Sequence, residues 1–103
     1  MKHKRTKATD IPQAVRIKVY DRDNGNCIFC GRPGLPNAHV INRSQGGLGI
    51  EQNIITACID CHNAMDNGRD TTRSKWMRNY AENYLKRHYP EWNREDCIYS
   101  KWT

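Results

Sequence analysis

The chain is poor in the residues that build a large core. Hydrophobic residues make up 37% of its 103 positions, there is a single phenylalanine, and aromatic residues reach only 9%. A domain this small with so little apolar content buries too little surface to be stable without help, so a staple is expected. Apolar runs are also missing. None approaches the roughly 20 residues that cross a bilayer, which excludes a helical membrane span and points to a soluble protein. No apolar leader opens the chain, because Met1 to Lys7 is almost wholly polar, so a reducing, intracellular (cytoplasmic) setting is expected. Acidic residues are scarce as well: 11 Asp and Glu against 17 Lys and Arg leave a net charge of +6, which favours a polyanionic partner.

What the chain does have is cysteine in a pattern. Four of the five fall into two pairs, Cys27-x-x-Cys30 and Cys58-x-x-Cys61, and Cys97 stands alone. Zinc prefers four thiolates at tetrahedral corners, and each C-x-x-C turn offers two, so these four residues are the candidate ligands of a closed structural zinc site. Twenty-seven residues separate Cys30 from Cys58, longer than the ~15–20 of common four-cysteine patterns. That excess has room for a β-hairpin. Cys97 is expected to be a non-ligand.

Local signals divide the rest. Residues 1–9 carry Lys2, Lys4, Arg5 and Lys7 without apolar periodicity and read as a disordered basic arm. Asp10 is placed to cap a helix with Pro12 in its first turn, ending near Asn24-Gly25. Ala38–Ile41 and Asn53–Ala57 read as short strands around a loop containing Gly46, Gly47 and Gly49. A second helix should open at Cys58–His62 and stop near Asn67-Gly68; a third should run from Thr71 or Thr72 to His88, ahead of Pro90. Trp76, Met77, Tyr80, Ala81, Tyr84 and Leu85 form a wide apolar stripe on it, read chiefly as packing rather than as a base-stacking surface. The tail, with Trp92, Tyr99 and Trp102, is expected to fold back over this helix.

The interval between the cysteine pairs holds residues suited to phosphodiester hydrolysis. A neutral imidazole can take a proton from water near pH 7, and His39, on a short strand between two zinc knuckles, would be firmly aimed. Asn53 is too weak a base for that step, but its amide can tie backbone groups across the glycine loop. His62 follows Cys61 at the start of a helix, and Asp66 lies four residues on, on the same face. An imidazole and a carboxylate together suit magnesium, manganese or another divalent metal.

In the order Cys27-x-x-Cys30, Ala38-His39-Val40-Ile41, Asn53, Cys58-x-x-Cys61-His62, the chain resembles the HNH endonuclease family in its zinc-binding four-cysteine branch, of phage and bacterial type, over roughly residues 12–70. The resemblance implies a small α+β fold, the treble-clef-like ββα-metal motif with a structural zinc, flanked by N-terminal and C-terminal helices. It implies His39 as general base, Asn53 as a structural member of the catalytic set, His62 as ligand of the catalytic metal, and cleavage leaving 5′-phosphate and 3′-hydroxyl ends. The expected division is an HNH domain over residues 10–70, with a helix and cap over 71–103 on the same domain. One departure stands out: family members often carry Asp or His immediately before the base, where this chain has Ala38.

Arg43, Arg69 and Arg73 are the basic residues nearest these groups in sequence and are the candidate contacts to a DNA backbone. The expected function is a metal-dependent DNA endonuclease that nicks or cleaves. The alternatives are a zinc-dependent nucleic-acid-binding module that has lost cleavage, with Ala38 as its clue, or an accessory interaction protein of a phage packaging or defence system.

Overall fold

A computed structural model describes residues 4–67 and 71–100, with side chains from residue 7 and none for residue 67. Its elements are α1 (Lys4–Thr9), α2 (Gln13–Arg22), β1 (Leu35–His39), β2 (Ile54–Ala57), α3 (Ile59–Asn67) and α4 (Thr72–His88), with 3₁₀ turns at Arg43–Gln45 and Arg94–Cys97. Backbone within residues 1–9, read from sequence as a disordered arm, is helical from Lys4 to Thr9. The carbonyl of Ala8 accepts from Gly49 N, so the glycine loop gives this segment a partner that local composition does not reveal.

Asp10 does not cap α2. The helix begins after Pro12, whose carbonyl accepts from Val15 N and Arg16 N, and Asp10 pairs with Arg43 instead. At its other end, α2 stops at Asn24 and Gly25, both with positive φ, and Gly25 N donates to Tyr20 O. Beyond it, Cys27 N donates to Arg32 O and Ile28 N to Thr56 O, which seats the first cysteine turn against β2.

β1 and β2 pair antiparallel, with Ala38 opposite Ile55 and His39 opposite Ile54, and with an irregularity between Leu35 and Ala38. Side chains alternate along such a strand. Ala38 points into the core with Val40, Ile55 and Met65, while Asn37 and His39 line the opposite, polar side. α2 packs on both strands and α3 on α4, and Met65, Met77, Ala81 and Leu85 of the latter two join the sheet's Ala38, Ile55 and Ala57 in one buried core. Cys58 opens α3, its sulfur accepting from Cys61 N at 3.4 Å. Thr71 caps α4 by accepting from Ser74 N, and Ser74 Oγ donates to Met65 O, tying the two helices together.

A buried ion pair binds α2 to this core. Asp23, whose side chain is fully covered, accepts from Arg22 at 2.8 Å, from Tyr84 Oη and from Thr56 N. Burial opposes its charge, but hydrogen bonds from Arg22 and Tyr84 outweigh that and hold the carboxyl below its ordinary range.

The tail folds back on α4, where Arg94 pairs with Glu82 and Lys86 lies over the Trp92 ring, and it also joins the glycine loop. Leu48 N donates to Cys97 O and Tyr99 N to Gly46 O, while Trp92 Nε1 donates to Gln52 O at 2.7 Å. The loop's backbone groups lack a strand partner of their own, and the tail supplies it. Trp102 lies outside the described residues. Cys97 is buried, and burial pushes its thiol up to about 11. Among the described residues no helix is long and apolar enough to cross a membrane.

Candidate active site and metal centre

The four cysteines of the two C-x-x-C turns converge. Their sulfurs all lie within 4.8 Å of one another, with Cys30 and Cys58 3.6 Å apart. Tetrahedral thiolates at Zn–S distances of about 2.3 Å sit about 3.8 Å from each other, so the cluster has the dimensions of a metal cage. Arg32 approaches Cys30 at 3.5 Å and Cys58 at 3.7 Å; its hydrogen bond pulls the Cys30 thiol down to about 6. Burial pushes the Cys61 thiol up, and a bound cation would reverse that. The site fits a structural metal such as zinc. Among the described residues it is the only group of three or more His, Cys, Asp or Glu compact enough to hold a metal ion.

Above the cage lies a cleft of about 700 Å³ lined by Asp10, Arg16, Asn37, His39, Arg43, His62 and Asp66, among others. Thus His39, His62, Asp66 and Arg43, chosen from sequence, share one cavity. His39 enters it from the end of β1 and is 8% exposed. Its Nε2 lies 2.7 Å from Thr9 O. A carbonyl only accepts, so the neutral ring carries its proton on Nε2 and keeps the Nδ1 lone pair. Burial holds its pKa below the ordinary 6.5, with the Thr9 carbonyl acting in the opposite sense.

Asn53 is fully buried. Its Oδ1 accepts from Ile41 N at 2.9 Å, and its Nδ2 donates to Ile41 O at 3.2 Å and Leu48 O at 2.9 Å. One amide therefore spans the loop from the end of β1 to the start of β2. The loop closes so tightly that a Cβ on Gly47 would lie 1.7 Å from Ile41 O. His62 and Asp66 are joined on α3, Nε2 to Oδ2 at 2.9 Å. Adjacent ligands of an octahedral ion with bonds of about 2.1 Å are separated by about 3.0 Å, so the pair has the bite of a shared cation.

Other candidates stand elsewhere. Ala38, the departure from the family pattern, turns away from the cleft, fully buried. Arg73 lies exposed in the first turn of α4 and does not line the cleft. Arg69 lies outside the described residues. Asn37, Asp10 and Arg16 are among the cleft residues that sequence did not single out. Asn37 was discoverable, two positions before His39 on the same strand face. Asp10 was read as a cap, and Arg16 carries no local signal because the packing of α2 on the sheet brings it to the cleft. Arg78 is a further tie. Its guanidinium donates to Val40 O, to Asn42 Oδ1 at 2.8 Å and to Asp66 at 3.4 Å, linking the strand of His39 to the helix of His62.

Searches of curated proteins and of solved structures returned no match. The HNH endonuclease family profile matches residues 27–68, a span that includes both cysteine pairs, His39, Asn53, His62 and Asp66. The two-stranded sheet, the helix that follows it and the cysteine cage at their base agree with the ββα-metal fold of that family. The segment 27–68, with both cysteine pairs and the cleft histidines, is thus an HNH endonuclease match within this chain.

Proposed function

We propose that the protein hydrolyses DNA phosphodiesters, nicking or cutting the duplex, with His39 as general base. The observation that carries this is the His39 ring: buried at the cleft wall, proton-bearing at Nε2 toward Thr9 O, and therefore basic at Nδ1. Nδ1 takes a proton from water, the water oxygen attacks phosphorus, and the bond to the 3′ oxygen breaks; that oxygen takes a proton from solvent, leaving a 5′-phosphate and a 3′-hydroxyl. His62 and Asp66 would hold magnesium, manganese or another divalent cation, which would supply charge stabilisation for the phosphate and the leaving oxygen. Asn53 fixes the loop that follows His39. Arg16 and Arg43 line the same cleft and would pair with flanking phosphates. Zinc at Cys27, Cys30, Cys58 and Cys61 supports the fold and takes no part in the chemistry.

A second reading, a DNA-binding module without cleavage, has one observation in its favour: among the described residues, no group of three or more His, Cys, Asp or Glu compact enough to hold a metal ion lies in the cleft. Incubating the zinc-loaded protein with supercoiled plasmid and magnesium or manganese decides between them. Conversion to nicked or linear DNA supports the nuclease; retarded but uncut plasmid supports the binding module. Whether a phage or defence partner recruits it is a separate question, answered by co-purification from the native host.

A further inference from the structure

The stripe on α4 does not all pack inward. Met77, Ala81 and Leu85 enter the core, but Trp76 stays 60% exposed. Its ring stacks on Tyr80 at 5.5 Å between centroids and 27° between planes, and Tyr80 in turn meets Phe29 of the first cysteine turn at 5.6 Å. Helical spacing places Arg73, Trp76, Tyr80, Asn83, Tyr84 and Arg87 along one edge of α4. That edge has no carboxylate. Glu82 is on the other side of the helix, 3.4 Å from Arg94. Arg87 lies over the Tyr84 ring at 5.9 Å, so cation and aromatic already alternate along it.

From this we propose that the Phe29–Tyr80–Trp76 ladder, with Arg73 and Arg87, is a docking surface for single-stranded DNA. Each base has a π-face that stacks on an exposed ring without regard to sequence, and guanidinium groups flanking the rings meet the phosphates between bases. Arg73 and Arg87 span fourteen residues of helix, about 21 Å at 1.5 Å per residue, enough for about four nucleotides. Charge argues against a basic protein partner, and a folded duplex hides the base faces that the exposed Trp76 ring would take. Phe29, between Cys27 and Cys30, packs against the buried core on the other side of the ladder. The surface is distinct from the cleft, whose lining includes none of these residues. The proposal does not rest on cleavage.

The test uses zinc-loaded protein without added magnesium or manganese, a fluorescent dT12 oligonucleotide, and a duplex of mixed sequence. Wild type should bind dT12 with quenching of tryptophan fluorescence. Trp76→Ala should weaken dT12 binding roughly tenfold and Trp76→Phe much less, while the Phe variant loses the quenching. Exchanging Arg73 and Arg87 for Gln should reduce the salt slope of dT12 binding by about 1.4, from about 0.7 for each phosphate on a single strand. Duplex binding, zinc content and melting should be unaltered by either tryptophan change. No dT12 binding by wild type, equal binding by Trp76→Ala, or tighter binding of rU12 than dT12 would each overturn the assignment. So would wild-type self-association that Trp76→Ala abolishes, which would give the surface to a second copy. Plasmid cleavage alongside failed dT12 binding would refute this surface and leave the nuclease reading standing.

Discussion

His39 and Thr9 are thirty positions apart, yet His39 Nε2 and the Thr9 carbonyl sit 2.7 Å from each other. The contact is backbone to ring, so it depends on where the chain runs and not on the threonine side chain. Gly49 sets that path, because a Cβ there would lie 1.9 Å from Asp10 O.

A depressed His39 pKa has two consequences. Folded protein binds fewer protons than unfolded protein just below pH 6.5, so this group's contribution to stability is complete above 6.5 and is lost as pH falls from there toward the folded value. The base is also neutral over a wider range, so the acid limb of kcat/KM for plasmid cleavage should lie below 6.5. Gly49→Ala should push residues 8–10 off the loop and lower activity. A pH–rate profile of both proteins checks this, and an acid limb above 6.5 in wild type would assign the titration to another group.

Asp66→Ala should raise the magnesium or manganese concentration needed for half-maximal cleavage while leaving zinc content unchanged, because it removes one of the two paired groups on α3. Restoring a carboxylate at Ala38 should not compensate. That side chain is fully buried among Val40, Ile55 and Met65, and an unpaired carboxylate there costs stability. Ala38→Asp is expected to melt lower and to show no gain in metal affinity. An unchanged metal titration for Asp66→Ala would make this residue a partner of Arg78 and His62 only.

Asn53→Ala removes the side-chain partner of three backbone groups, Ile41 N, Ile41 O and Leu48 O. At roughly 1–3 kcal/mol for each buried group left unpaired, melting should fall by about 12 °C or more, with loss of cleavage. Calorimetry alongside the plasmid assay tests this. Full stability with lost activity would mean that Asn53 acts on substrate and not on the loop.

Cys58→Ser should release the metal and unfold or aggregate the protein, since metal binding and folding share one free energy in a core this thin. Metal analysis of folded, reduced wild type should find about one zinc per chain.

Spacing made the cysteine cage and the ββα segment legible, because ligand turns and a strand–loop–strand followed by a helix are local patterns. Helix ends were legible where a residue's backbone preference decides them, as at Asn24-Gly25 and Thr71. What sequence could not reveal is long-range. The α1 backbone reaching His39, Arg16 entering the cleft from α2, Asp10 pairing with Arg43 instead of capping, and the tail joining Gly46–Leu48 all depend on how separate elements meet. The α4 stripe was half legible: periodicity gave its position, but only packing separates the buried Met77, Ala81 and Leu85 from the exposed Trp76.

The most direct measurement compares wild type with His39→Ala for plasmid cleavage in magnesium and in manganese, at matched zinc content and melting temperature. Cleavage by wild type, with a fall of roughly 10² or more in the variant and unchanged DNA affinity, is the predicted result. Equal cleavage by the two proteins would contradict the assignment of His39 as the base, and intact plasmid with both would contradict the nuclease itself.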